Sequence, residues 1–259
     1  MNYRFDDSQI NQLKLCLLWI KQAKLWLKPT DNVFIYTSKK LPKILTKEFT
    51  ANFKECIVQG SLNLAPSVPK EYTEMIWYKL YILCNFPYKA LFLDADAIIM
   101  NDVSELDQIK LTNEHPIFMI DHEKDIKTHT DNKPSTINSG SVLFQNLPAT
   151  KFSWENLIEF GNKIGYIYRY KNSDKIIPGN DQALLQAYCE NIGYDYHHPT
   201  FNIRYNTCSK KISYRHKDSK KRTKCRSIDD LTKDVAVNHY WGPFKPWNID
   251  CPIFKYMKD

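Results

Sequence analysis

Two aspartates follow an apolar run near the middle of the sequence. The stretch ALFLDADAIIM, residues 90–100, places Asp94 and Asp96 two positions apart among apolar residues. An unpaired carboxylate beside a buried strand is costly, so the pair needs a cation, a metal or a ligand as its partner. Side chains at i and i+2 of an extended segment point to the same side, so both carboxylates can face one ion. Two carboxylates with open positions suit Mg²⁺ or Mn²⁺ completed by substrate phosphates.

The Asp-x-Asp tripeptide is weak evidence by itself. The chain has 19 aspartates, and chance then gives on the order of one such tripeptide. The alternative interpretation is a helix cap or a turn with solvated carboxylates. The position directly after an apolar strand favours a site, because open α/β sheets bind ligands outside the carboxyl ends of their strands.

Glycines mark three further polar stretches. The chain has only 7 glycines, and three of them lie in INSGSVLF, PGNDQALL and HYWGPFKPW. Glycine in a polar loop favours close approach of the backbone to a ligand. In the last stretch, His239 would add an imidazole to the carboxylates, which favours Mn²⁺ over Mg²⁺. Lys245 is placed to meet phosphate charge.

Each of these residues also has an ordinary structural interpretation. A histidine that ends a strand is commonly a satisfied structural residue, and Gly-Pro turns are common. The stretch NDQALL is typical of a helix start, with Asn180 as N-cap and Asp181 in the first turn. The order and spacing of the four stretches together favour a site.

The elements that must position these residues alternate along the chain. Apolar spacing predicts helices over residues 8–27, 43–50, 71–86, 151–163 and 180–190. Strands are predicted over residues 32–38, 56–60, 89–96, 116–121, 141–146 and 235–240, with a polar loop over 122–140. Residues 89–96 are apolar on both faces, as in a central parallel strand covered by helices. The alternation predicts a doubly wound α/β sheet.

Composition indicates a single globular unit. The chain has 259 residues of which 43% are hydrophobic, so we expect one domain over residues 1–259. The most apolar stretch is interrupted by Lys14, Lys21 and Lys24 and cannot span a bilayer. Seven cysteines without a Cys-x-x-Cys pair argue against a disulfide framework and a zinc ribbon. With no signal-peptide pattern at the start, we expect a cytoplasmic protein with reduced thiols.

The positive charge of the chain is local. Residues 209–226, SKKISYRHKDSKKRTKCR, carry a charge of +8 in a chain whose formal net charge is +7. On composition this basic segment is a solvated loop. Docking to an anionic acceptor, a membrane surface or a nucleic acid is the alternative interpretation.

Taken together, the motifs resemble the glycogenin-like members of glycosyltransferase family 8. The resemblance runs from about Asp31 to Trp247 and rests on YKLYILCNFPYKALFLDADAIIMNDVSEL, INSGSVLFQN, GNDQALLQAY and HYWGPFKPW. It implies the GT-A fold, which is Rossmann-like with a mostly parallel central sheet flanked by helices. It also implies a retaining transferase that moves a hexose from a uridine-diphosphate (UDP) sugar, of the UDP-glucose or UDP-galactose type, to an acceptor hydroxyl. A homodimer and Mn²⁺, or Mg²⁺ in its place, are implied as well.

The resemblance assigns metal and diphosphate contacts. Asp94, Asp96 and His239 match the family's metal ligands. Gly242 and Lys245 match the glycine and the lysine that meet the diphosphate. Metal and lysine would stabilise the charge that develops on the leaving phosphate.

The resemblance also assigns contacts to the sugar. Lys79, in YKLY, matches a lysine that contacts the donor from the helix before the Asp-x-Asp strand. Asn138 and Ser139 match the asparagine and serine near the sugar, and Asp181 and Gln182 match the pair at its reacting face. Pro178 stands where the family often has an acidic residue, so we expect some sugar contacts to differ.

Two other functions fit parts of the sequence. In a catalytically silent family member, the chain would bind nucleotide sugar without turnover and the basic segment would make it a binding module. LFLDADAII also resembles the strand and Asp-x-Asp of haloacid-dehalogenase-like phosphatases, where Asp94 would be the nucleophile and Asp96 the general acid. Such chains normally open with this motif and supply a later acidic pair, which GNDQALL lacks.

Overall fold

The computed structural model describes most of the chain between residues 7 and 240. The described ranges are 7–37, 42–53, 57–59, 74–121, 137–147, 151–165, 167–169, 176–178, 181–201, 203–205, 207–208 and 235–240. Within these ranges, no helix has both the length and the apolar character that a membrane span requires.

Five α-helices lie in the described ranges. They are α1 (Asp7–Trp26), α2 (Lys43–Asn52), α3 (Glu74–Asn85), α4 (Trp154–Ile164) and α5 (Asp181–Ile192). Each confirms a helix predicted from apolar spacing. Local signals set the ends of α4, because the Ser153 hydroxyl accepts the N–H of Asn156 at 3.2 Å and Gly165 closes the helix at φ 63°. Two 3₁₀ helices cover Ser104–Gln108 and Ile203–Tyr205.

The described strands form four short sheets. The strands are β1 (Ile35–Thr37), β2 (Ile57–Gln59), β3 (Ala90–Leu93), β4 (Ala97–Ile99), β5 (Ile117–Asp121), β6 (Ile137–Phe144), β7 (Ile167–Arg169), β8 (Ile176–Pro178), β9 (Thr207–Cys208) and β10 (Val237–His239). The sheet orders are β1-β2, β3-β6-β5, β4-β10-β9 and β7-β8. The pairs β1/β2 and β9/β10 are parallel, and the remaining described pairs are antiparallel.

The direction of β3 differs from the prediction. This strand pairs antiparallel with β6, with Ala90 opposite Phe144, so the prediction of a parallel strand was wrong for this pair of described strands. An apolar run indicates that both faces meet apolar neighbours, but it does not encode which way the neighbouring strand runs. The four residues of β3 are only half-buried. A cavity of about 650 Å³ lies beside them, with Trp19 and Phe34 among its other lining residues.

The main core lies between α3, α5 and the β6 sheet. Trp77 and Leu80 of α3 are fully buried, as is Leu184 of α5. Burial of each such side chain contributes roughly 1.5–3 kcal/mol. This packing fixes the helix that also carries Lys79, whose exposed fraction is only 6%.

The segment with the two aspartates is a turn and not an extended strand. The N–H of Ala97 donates to the carbonyl of Asp94 at 2.8 Å, which closes a turn between β3 and β4. The N–H of Asp94 donates to the carbonyl of Gly140 in β6 at 2.9 Å. The carbonyl of Asp96 accepts the N–H of Tyr240, just after β10, at 2.9 Å. The prediction of an extended segment is therefore corrected: the turn ties the β6 sheet to the β10 sheet.

Candidate active site

Asp94, Asp96 and His239 form a cluster of side chains that can ligate a metal. One ligand atom from each lies within 4.8 Å of the other two. The Nε2 atom of His239 lies 3.2 Å from Oδ1 of Asp96 and 3.8 Å from Oδ2 of Asp94. The imidazole is buried, whereas both carboxylates keep partial exposure. Two oxygen donors and one nitrogen donor around a partly open position are typical of a divalent-cation site.

Lys79 lies beside this cluster and connects three elements. Its ammonium donates to Oδ1 of Asp94 at 3.0 Å and to the hydroxyl of Ser139 at 2.9 Å. It also lies 2.8 Å from Oδ2 of Asp181, the first residue of α5. The Ser139 hydroxyl donates to the same Asp181 oxygen at 2.7 Å. Each N–H of the buried ammonium therefore has an acceptor, as a buried charge requires.

The pKa values of the three charged groups follow from burial and from this pairing. Burial lowers the pKa of Lys79, but the carboxylates of Asp94 and Asp181 outweigh it and raise the pKa overall. Burial raises the pKa of Asp181, but the charge of Lys79 and bonds from Lys79 and Ser139 lower it overall. At Asp94 burial dominates and raises the pKa, since Lys79 and His239 offset it only in part.

Among the described residues of the site, carboxylates outnumber ammonium groups. Asp94, Asp96 and Asp181 supply three carboxylates, and Lys79 is the one ammonium that bonds to them among the described residues. A divalent cation near Asp94 would favour the charged form of that carboxyl. The residues present therefore fit a divalent metal in both donor type and charge.

Two glutamines of α5 accept backbone hydrogen bonds from β6, the strand that carries Asn138 and Ser139. The backbone N–H of Ser139 donates to Oε1 of Gln182 at 3.1 Å. Because this oxygen is engaged, Gln182 can offer a ligand the N–H groups of its side-chain amide. The backbone N–H of Ile137 donates to Oε1 of Gln186 at 3.4 Å. Gln186 was not singled out from the sequence. Its spacing of four residues from Gln182 is the signal that places both on one face of the helix.

Asn138, Ser139 and Gly140 lie in β6 and not in the predicted polar loop. Polar and small residues are typical of loops, but here they are buried and hydrogen-bonded. The Asn138 side-chain oxygen accepts the N–H of Gly140 at 2.8 Å. The structure thus brings together eight of the ten residues assigned from the sequence, which are Lys79, Asp94, Asp96, Asn138, Ser139, Asp181, Gln182 and His239.

Two assigned residues lie outside the described part of the chain. They are Gly242 and Lys245, which follow β10 in sequence. The basic segment 209–226 and the helix cap predicted at Asn180 also lie outside the described residues. Their assignments remain predictions from the sequence.

The solved structures that match this fold include glycosyltransferases. The galactosyltransferase LgtC, solved with donor and acceptor sugar analogues, matches with a TM-score of 0.56 and 17% identity, over 98% of this chain and 92% of that chain. GlyE of Streptococcus pneumoniae TIGR4 matches with a TM-score of 0.58 and 16% identity, over 98% of this chain and 59% of that chain. These matches show that the chain has the GT-A fold, as the sequence predicted.

A family model identifies the protein family of this chain. The model of glycosyl transferase family 8 matches residues 21–251, and the chain belongs to this family. No curated protein matches the chain. The family assignment removes the basis for the phosphatase alternative, which rested on the Asp-x-Asp strand alone.

Proposed function

We propose that the protein is a metal-dependent retaining transferase that moves a hexose from a UDP-sugar, of the UDP-glucose or UDP-galactose type, to an acceptor hydroxyl. The observation that carries this proposal is the cluster of Asp94, Asp96 and His239 next to the bonded group of Lys79 and Asp181. A metal position and a sugar position would then be adjacent. Family 8 membership supports the same reaction class.

The residues proposed to hold the metal are Asp94, Asp96 and His239. An imidazole beside two carboxylates suits Mn²⁺ better than Mg²⁺, which prefers oxygen ligands alone. When bound, the metal would supply a Lewis acid that stabilises negative charge on the leaving diphosphate. Lys245 would add a positive charge at the same diphosphate, and Gly242 would let the backbone approach it. These last two roles rest on the family resemblance.

The residues proposed to position the sugar lie beside Lys79, at the start of α5 and in β6. Asp181 is held in its charged form, so it can accept hydrogen bonds from sugar hydroxyls or stabilise positive charge at the reacting carbon. Gln182 would donate from its amide, and Asn138 and Ser139 line the same part of β6. Lys79 would place Asp94 and Asp181 at a fixed separation in addition to carrying charge for the donor.

We also propose an acceptor class, a domain organisation, an oligomeric state and a cellular compartment. LgtC is a galactosyltransferase solved with donor and acceptor sugar analogues, which supports a glycan hydroxyl as the acceptor; a protein hydroxyl is the alternative acceptor. We propose that residues 1–259 form one domain, that the protein forms a homodimer as the family resemblance implies, and that the basic segment 209–226 contacts an anionic partner or solvent. The odd number of cysteines in the chain supports action in a reducing compartment such as the cytoplasm.

The direct test is release of UDP from a panel of UDP-sugars, measured with Mn²⁺ and with EDTA and without added acceptor. We expect slow hydrolysis of one sugar that EDTA removes, which would also identify the donor. Release of inorganic phosphate from simple esters would instead indicate a phosphatase. Nucleotide binding by calorimetry with no turnover of any sugar would support a silent binding protein.

A further inference from the structure

The imidazole of His239 lies against the backbone of Gly140. A Cβ atom placed on Gly140 would lie 1.9 Å from Cε1 of the ring, 2.2 Å from Nδ1 and 2.7 Å from Nε2. Real Cβ atoms essentially never approach another heavy atom within 3.0 Å. The ring can therefore occupy its present position only because residue 140 has no side chain.

Neither backbone is free to withdraw from this contact. The carbonyl of Gly140 accepts the N–H of Asp94 at 2.9 Å, and its own N–H donates to the Asn138 side chain at 2.8 Å. His239 pairs with Ala97 of β4 on one side and with β9 on the other. A side chain at position 140 would therefore displace the imidazole itself, which lies 3.2 Å from Asp96.

We propose that Gly140 is a positioning residue for the metal site: its bare backbone sets the imidazole of His239 toward the carboxylates of Asp94 and Asp96. The inference rests on the proposed metal-dependent function. It adds that the glycine of INSGSVLF makes room for the histidine ring.

The first arm of the test measures the contact itself, without metal. Melting temperatures are determined in EDTA for the wild type, Gly140→Ala, His239→Ala and the double variant. We expect Gly140→Ala to lower the melting temperature of the wild type, because an added methyl group overpacks the site. In the His239→Ala background the ring is gone, so the same change should cost almost nothing. An equal loss in both backgrounds would overturn the proposal.

The second arm measures Mn²⁺ affinity from the electron paramagnetic resonance signal of the free ion. We expect Gly140→Ala to weaken Mn²⁺ binding about 10- to 100-fold, and to cause no further loss in the His239→Ala background. Ser141→Ala is the matched control, because it alters the next residue of β6, whose buried hydroxyl has no hydrogen-bond partner among the described residues. This control should bind Mn²⁺ as the wild type does.

The two arms separate the inference from the function on which it rests. Wild-type Mn²⁺ affinity in Gly140→Ala would overturn the positioning role and leave the metal site standing. A wild type that binds Mn²⁺ no better than His239→Ala would overturn the metal site. In that case the coupling of melting temperatures still decides whether Gly140 positions the ring.

Discussion

At the scale of single residues, Lys79 is the group on which the candidate site depends most. It is buried, and its acceptors come from the turn after β3, from β6 and from the start of α5. A buried cation without partners is costly, and so are carboxylates whose cation is removed. The Lys79 ammonium therefore holds Asp94 and Asp181 in place, because its positive charge and their negative charges compensate one another.

Replacing Lys79 with methionine should destabilise the fold. Two carboxylates would lose their cation, at a cost of roughly 2–4 kcal/mol after allowance for the partial exposure of Asp94. Urea unfolding measures this. Lys28→Met is the control, because the ion pair of Lys28 with Asp107, 2.8 Å long, is exposed and should leave the unfolding midpoint unchanged. Equal midpoints for Lys79→Met and the wild type would contradict the account.

At the scale of elements, a second lysine fixes the other end of β3. Lys89 precedes this strand, and its ammonium donates to the carbonyls of Leu106, Asp107 and Ile109 at 2.6, 2.8 and 2.6 Å. These carbonyls lie at the end of the 3₁₀ helix Ser104–Gln108, where a positive charge is favourable. β3 is thus held at its start by Lys89 and at its end by the aspartate turn.

Lys89→Met should lower the free energy of unfolding by roughly 1–2 kcal/mol, since three charge-assisted hydrogen bonds are lost at a partly exposed site. Denaturant unfolding checks this, with the exposed Lys110→Met nearby as control. The variant should still bind Mn²⁺, because its bonds do not reach the metal cluster. A loss of stability in Lys110→Met equal to that in Lys89→Met would refute the specific role of these bonds.

The sequence predicted helices better than strands, for physical reasons. Apolar spacing identified all five described helices, because a helix face repeats over many residues. The start of β6 was missed because Asn138, Ser139 and Gly140 interrupt its apolar pattern, and their polar groups are satisfied by partners far away in sequence. The turn at Asp94 was read as extended because its closing bond to Ala97 leaves no sequence signal.

The candidate site was largely predictable because its residues match family motifs. What the sequence could not supply were the contacts between motifs. The close approach of Gly140 to His239 and the contacts of Lys79 with Ser139 and Asp181 join residues 60 or more positions apart. Such contacts depend on strand pairing and not on local spacing.

At the scale of the whole molecule, the candidate site is a junction. The sheet β3-β6-β5 and the sheet β4-β10-β9 meet at the aspartate turn, and α3 and α5 add Lys79 and Asp181 to it. A metal ion held by Asp94, Asp96 and His239 would contact the aspartate turn and β10. Binding should therefore stabilise the molecule as a unit and not one loop of it.

Mn²⁺ should raise the melting temperature of the protein. At a concentration about 100 times the dissociation constant, the gain is about 2.7 kcal/mol, or roughly 5–10 °C for a chain of this size. Differential scanning calorimetry with Mn²⁺ and with EDTA measures the shift. His239→Ala should show little of it. A shift of the same size in that variant would place the metal elsewhere.

We propose that Asp94, Asp96 and His239 form the metal centre of a UDP-sugar transferase. The most direct test is Mn²⁺-dependent release of UDP by the wild type, Asp96→Asn and His239→Ala, with melting temperatures in EDTA to check that each variant is folded. We predict that both substitutions lower the rate about 10²- to 10³-fold while the fold persists. Wild-type rates in both variants would contradict the account.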